Sequence, residues 1–221
     1  MPENLIHFLV EVSIWAIPIV LAFTVHEVMH GFVARHYGDN TAERMGRLTL
    51  NPLKHIDPIG TVAIPSLALL LNIPVIGWAR PVPINPQNLR HPRTDMAKVA
   101  AAGPASNLVQ ALIWALLLAG LQRLRGVVGE PQWLLTMCSA GILVNVLFAV
   151  LNMLPIPPLD GSRVLRSFVS PGFARVLDRL DPFGFFILFA LLYAGVLNAL
   201  MAPLLTAVQR MIAALSGIET G

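Results

Sequence analysis

The positions of charged residues divide the chain before any other feature does. Five stretches contain no Asp, Glu, Lys or Arg: 12–26, 58–79, 99–122, 131–159 and 182–209. A bilayer core about 30 Å thick needs roughly 20 apolar residues of helix, and the third, fourth and fifth stretches supply that unaided. The first reaches it by starting near Leu5 and tolerating Glu11, with helical patterning continuing through Val25 to Val33. A cleaved leader would carry basic residues ahead of its apolar part. Here none precede it and Glu3 and Glu11 are acidic, so the segment reads as a retained helix. The pattern predicts helices over about 5–37, 97–121, 132–154 and 183–203, with an amphipathic tail over 204–215 as a fifth, partial helix.

Stretch 58–79 behaves differently. Pro65 and the step Asn72-Ile73-Pro74 interrupt it and leave a short helical core. Non-helical backbone persists at membrane depth only where protein or water satisfies its polar groups. If the stretch turns back without crossing, segments 35–98 and 161–181 share one side. They then hold all of the 15 basic residues except Arg123, Arg125 and Arg210. Positive charge collects on the cytosolic side. If the stretch crosses, the basic residues divide between both faces. The re-entrant reading is preferred.

Composition agrees. Of 221 residues, 56% are apolar and 12% charged, against about 25% charged in ordinary soluble domains, and the mean hydropathy is +0.70. So few charges cannot cover a water-facing surface, so the lipid bilayer is the solvent for much of the chain. A net charge of +3 could suit nucleic acid, but the basic residues form no run and nucleic acid is not an expected partner. The single cysteine, Cys138, excludes an internal disulfide framework. No repeat, low-complexity tract or linker is visible. The expectation is an all-α integral membrane protein with one domain over 1–221. It is a bundle of four to six transmembrane helices with a re-entrant segment and a short membrane-associated β element.

The chemistry begins at His26-Glu27-Val28-Met29-His30. Residues i and i+4 share a helix face, so both imidazoles can reach one ion. Glu27 sits beside them, placed to hold a water in the ion's open position. Zinc suits the set, because a catalytic zinc takes three protein ligands and water. Three ionisable residues in hydrocarbon cost several kcal/mol by insertion scales, of order 3 kcal/mol each, which a chance motif would not sustain. A third ligand must come from elsewhere. Asp160 is the candidate, in Asn152-Met153-Leu154-Pro155-Ile156-Pro157-Pro158-Leu159-Asp160-Gly161, where the prolines end a helix and Gly161 frees the backbone. The alternative is that Asp160 merely caps the segment that follows.

HExxH on one transmembrane helix and NxxPxPxLDG on a later one resemble the site-2 protease family of intramembrane zinc metalloproteases. A third family feature, GPxxN, stands here as Gly103-Pro104-Ala105-Ser106-Asn107. The resemblance implies one zinc per chain held by His26, His30 and Asp160, with Glu27 as the catalytic glutamate and Asn152 helping to hold the reacting carbonyl. It implies an endopeptidase acting on transmembrane segments of protein or peptide substrates near the cytosolic face. The chain is similar to the small prokaryotic members without PDZ or CBS domains, and a multi-pass place in a prokaryotic plasma membrane follows. The hydrophobic insertion at 59–77 departs from the family pattern. The alternative is a catalytically silent member serving as a membrane binding scaffold. A transporter would show repeat symmetry and acids along several helices, which are absent from the sequence.

Three further readings concern residues outside these motifs. Gly46-Arg47-Leu48-Thr49-Leu50-Asn51-Pro52 has strand-like alternation and a proline stop. It is either an edge to which an unwound substrate adds as a strand or a plain interfacial loop. Asn107, Asn145 and Asn152 could line a hydrated cavity, with Asn145 equally suited to a helix-to-helix hydrogen bond. His55-Ile56-Asp57 reads as an interfacial loop pair rather than a second metal contact.

Overall fold

A computed structural model describes residues 2–64, 67, 80–124 and 131–216. Among them the chain is helical and forms no strand. The helices are α1 (Pro2–His36), α2 (Thr41–Arg44), α3 (Pro92–Arg123), α4 (Gln132–Asn152), α5 (Asp160–Phe168), α6 (Pro171–Leu180), α7 (Gly184–Tyr193) and α8 (Val196–Ser216). Among the described residues, four helical segments are long and apolar enough to cross a membrane: Val10–His36, Pro92–Arg123, Gln132–Asn152 and Val196–Ser216.

Helices α1, α3 and α4 pack against one another and hold the site. Small residues let them approach: Ala22, Ala111 and Ala115 are wholly buried. The register follows from specific contacts. His30 pairs with the Val99 carbonyl while Asn107 reaches the Ala22 carbonyl, so α1 and α3 run antiparallel. Phe23 lies on Phe148, with ring centroids 4.3 Å apart, and Ile14 clusters with Met137 and Ala140, so α1 and α4 run parallel. The second half of α1, the first half of α3 and the end of α4 therefore meet at one end of the bundle. There α5 begins, packed on α3.

Two expectations need correction. The fourth crossing helix was expected over 183–203, but α7 stops at Tyr193 and α8 starts at Val196. Gly195 sits between them at φ +73°, a left-handed conformation that closes a helix. The long span is therefore Val196–Ser216, and the expected amphipathic tail is its second half. The β element expected over Gly46–Pro52 is not formed among the described residues. Side-chain bonds hold the segment instead: Arg47 reaches out to the Arg80 and Pro81 carbonyls, and His55 Nε2 donates to the Thr49 carbonyl at 2.9 Å. The re-entrant expectation for 59–77 lies largely outside the described residues.

The end of α1 is tied to the turn before α3 through Asp39, which is 1% exposed. Its carboxylate accepts from the backbone N–H of Thr41 (3.0 Å) and Asn85 (2.6 Å) and from Asn88 Nδ2 (3.0 Å). Burial pushes the carboxyl up, but the bonds from Thr41, Asn88 and Asn85 outweigh it and hold it below its usual 3.8. A depressed folded-state value means the contribution to stability is complete above about pH 4 and is lost as pH falls through the folded value. Asp39→Ala is expected to cost about 1–3 kcal/mol at neutral pH by stranding these donors. Thermal melts in detergent should show the gap from wild type closing as pH falls below about 4. A gap equally wide at acid pH would refute this account.

Candidate metal centre

The site is assembled from three elements. On α1 the i, i+4 spacing brings the His26 and His30 rings to a centroid separation of 4.6 Å at an interplanar angle of 87°. The run Pro155–Pro158 ends α4, Leu159 is extended, and Asp160 opens α5. Gly161 matters here for space rather than for unusual dihedrals. A Cβ at this position would stand 2.3 Å from the Met153 carbonyl oxygen, so only glycine lets α5 fold back onto the end of α4. Asp160 is not a helix cap; it turns inward, with Oδ2 3.2 Å from His26 Nε2 and 3.2 Å from His30 Nε2. All three residues are buried, with 6%, 5% and 6% exposure for His26, His30 and Asp160.

The tautomers can be read from the outer bonds. His30 Nδ1 donates to the Val99 carbonyl at 2.7 Å. His26 Nδ1 donates to Asn107 Oδ1 at 2.6 Å, and Asn107 Nδ2 in turn donates to Asn145 Oδ1 at 2.9 Å. Asn145 Nδ2 closes the chain on the Gly141 carbonyl at 2.9 Å. With both Nδ1 atoms protonated, both Nε2 atoms present lone pairs to each other at 3.0 Å and to a carboxylate oxygen. Three such acceptors repel unless a cation lies among them. In a tetrahedral zinc site with Zn–N bonds of about 2.0–2.1 Å the ligand atoms stand about 3.3–3.4 Å apart. The observed spacings fall just inside that, so the donor set fits zinc. Its second shell is the kind that orients ligating imidazoles.

Gly103, the first residue of the GPxxN motif, passes directly over the donors. A Cβ there would lie 2.4 Å from His30 Nε2 and 2.6 Å from His26 Nε2. Glu27 is half-buried, and its Oε2 accepts from the Val82 N–H at 2.7 Å. A cleft of about 670 Å³ runs between the segment after Arg80 and helices α5 and α6; Val82, whose N–H binds Glu27, is among its walls with Ile84, Met96, Ser162 and Arg163.

Of the residues singled out by sequence, the structure brings His26, His30 and Asp160 together with Glu27 adjacent in the chain. Asn152, the last residue of α4, lies apart from that bonding: its amide donates to the Phe148 carbonyl at 3.1 Å and to none of the three donors. Asn107 holds a ring rather than lining a cavity, and Asn145 makes the helix-to-helix bond. The Val99 carbonyl and the Val82 N–H were not foreseen. The GPxxN motif was the signal that could have placed Gly103 and Asn107 against the imidazoles.

Residues 123–193 match the family model for peptidase family M50. The chain is 36% identical over 197 residues to "Putative zinc metalloprotease YwhC" of Bacillus subtilis (strain 168), spanning 86% of this chain and 85% of that protein. It is 34% identical over 192 residues to "Putative zinc metalloprotease Rip2" of Mycolicibacterium smegmatis (strain ATCC 700084 / mc(2)155), spanning 86% and 69%. The protein named Rip2 from Mycobacterium tuberculosis (strain ATCC 25618 / H37Rv) is 31% identical over 192 residues, with the same coverage, 86% and 69%. No solved structure matches the chain at a significant level. With four apolar helices long enough to span a bilayer and identity extending along most of its length and most of YwhC, this chain belongs to peptidase family M50, the site-2 proteases, and is a membrane zinc metalloprotease.

Proposed function

We propose that the chain hydrolyses peptide bonds in or beside transmembrane segments of membrane-protein substrates, close to the cytosolic face of a prokaryotic plasma membrane. Its zinc is held by His26, His30 and Asp160, and the whole chain acts as one transmembrane metalloprotease domain. The observation that carries this reading is the convergence of three buried lone-pair donors at the end of a bundle of membrane-length helices.

When bound, zinc supplies Lewis-acid chemistry, polarising a peptide carbonyl and making water nucleophilic near pH 7. Glu27 takes the proton of the attacking water on a carboxylate oxygen. It returns that proton to the leaving amine as the C–N bond breaks and the new C–O bond is complete. The Asn107 side chain and the Val99 carbonyl keep His26 and His30 in the tautomer that leaves Nε2 free. Asn152 spends one of its two amide N–H donors on the Phe148 carbonyl, and the second donates to the developing oxyanion. A helical substrate has its amides satisfied internally and must unwind before it is cut. The cleft beside Val82 offers room for the unwound strand.

The substrate class is tested by where the cuts fall. The chain is reconstituted in liposomes with a protein carrying one transmembrane helix, and product ends are mapped by mass spectrometry. Ends within the apolar segment, or within about one helical turn of its cytosolic boundary, are expected. Cuts confined to loops remote from the span would overturn the proposal.

A further inference from the structure

The loop after α2 buries a cation that no carboxylate neutralises by direct contact among the described residues. Arg47 is 8% exposed. Its Nη2 donates to the carbonyl oxygens of Arg80 at 3.0 Å and Pro81 at 3.3 Å, and its Nε is buried without a partner. Removing a guanidinium from water without pairing it is costly, so packing alone is a poor reason for it to be there. Burial and then the charge of Arg80 push the guanidinium's pKa down; the acid that pushes it up is Glu27.

The segment Arg47 grips leads to the same glutamate. It reads Arg80-Pro81-Val82-Pro83. Prolines have no N–H, so Val82 carries the sole backbone donor between Arg80 and Ile84. That donor is spent on Glu27 Oε2 at 2.7 Å. A segment with so few donors cannot be fixed by a ladder. Beside the bond from the Arg80 N–H to the His55 carbonyl at 2.8 Å, a single guanidinium nitrogen, Nη2, holds the two successive carbonyls of Arg80 and Pro81.

We infer that Arg47 is a positioning residue for Glu27: by pinning the Arg80 and Pro81 carbonyls it aims the Val82 N–H at the glutamate and sets the direction of its carboxylate. The inference rests on the general-base role proposed for Glu27, so its test must separate the two.

Full-length R47Q, R47K, V82P, the double variant R47Q/V82P and E27Q are compared for zinc content, kcat and KM on a reconstituted single-span substrate. Val82 precedes a proline, which biases it toward the β/polyproline region that proline itself adopts, so a proline there removes the N–H. R47Q is expected to lower kcat about tenfold to a hundredfold, the range for residues that orient a catalytic group, with KM and zinc content unchanged. R47K should recover part of the loss, since a cation remains near the carbonyls. V82P should fall by a similar factor, and the double variant should be no worse than the weaker of the two singles, because both break one chain of contacts. Wild-type kcat in R47Q, a loss carried by KM alone, effects that multiply in the double variant, or zinc lost from both R47Q and R47K would each overturn the inference. Cleavage by E27Q would instead overturn the role of Glu27 itself, whatever Arg47 does.

Discussion

Replacing Glu27 with glutamine is expected to stop peptide hydrolysis and leave the zinc in place. Glutamine has nearly the same shape, and its amide oxygen can still accept from the Val82 N–H that Glu27 Oε2 holds at 2.7 Å. The segment beside the site should therefore stay where it is. Glu27 is also outside the donor cluster, which consists of His26, His30 and Asp160, so the metal stoichiometry should not change. What disappears is a group able to take a proton. Loss of general base catalysis costs about 10²–10⁴-fold in rate. Measuring zinc by mass spectrometry alongside product formation separates the outcomes. A fully zinc-loaded E27Q that cuts at the wild-type rate would remove Glu27 from the mechanism. Full zinc and no cutting would also dispose of the silent-scaffold alternative for the wild-type chain, provided the wild type cuts in the same assay.

Gly103→Ala is expected to empty the metal site while leaving the helix intact, or even firmer. The added Cβ would lie 2.4 Å from His30 Nε2 and 2.6 Å from both Cε1 and Nε2 of His26. The two Nε2 atoms are the ones that would face the metal under the proposed ligation. Neither ring can yield freely, because each is tethered through Nδ1, to Asn107 and to the Val99 carbonyl. Either a tether breaks or α3 moves away from α1. Helix propensity acts in the opposite direction, since alanine favours helix over glycine by about 1 kcal/mol. The signature is thus zinc at background and cleavage absent, with helical circular dichroism undiminished. A G103A protein that retains a full equivalent of zinc would show that the donors sit elsewhere.

The sequence made some parts legible because their physics is local. The pair at 26 and 30 needs only helical spacing. The end of α4 needs only the prolines from Pro155 to Pro158. Of the four membrane-length helices among the described residues, α3 and α4 follow from runs without charge, and α1 follows once Glu11 is tolerated. The fourth was misplaced by its own hydrophobicity. Stretch 182–209 reads as continuous because Gly195 is apolar by composition, yet its left-handed backbone splits α7 from α8. The asymmetry between Asn107 and Asn152 was equally hidden. Both are polar residues on apolar helices, but one meets the imidazole of His26 across a helix interface while the other bonds back to its own helix.

By itself, then, the amino-acid order determined that this protein lives in lipid, that it carries an i, i+4 imidazole pair and a distant aspartate, and which family it resembles. Those properties depend on hydropathy and on spacings along one chain. Only the tertiary structure decided which atoms hold the proposed ligands in place. Any residue type could offer the Val99 carbonyl and any but proline the Val82 N–H, and Gly103 acts by lacking a side chain. Their roles arise from how close α1, α3 and the segment after Arg80 approach one another, a distance set by packing across the bundle rather than by any local pattern.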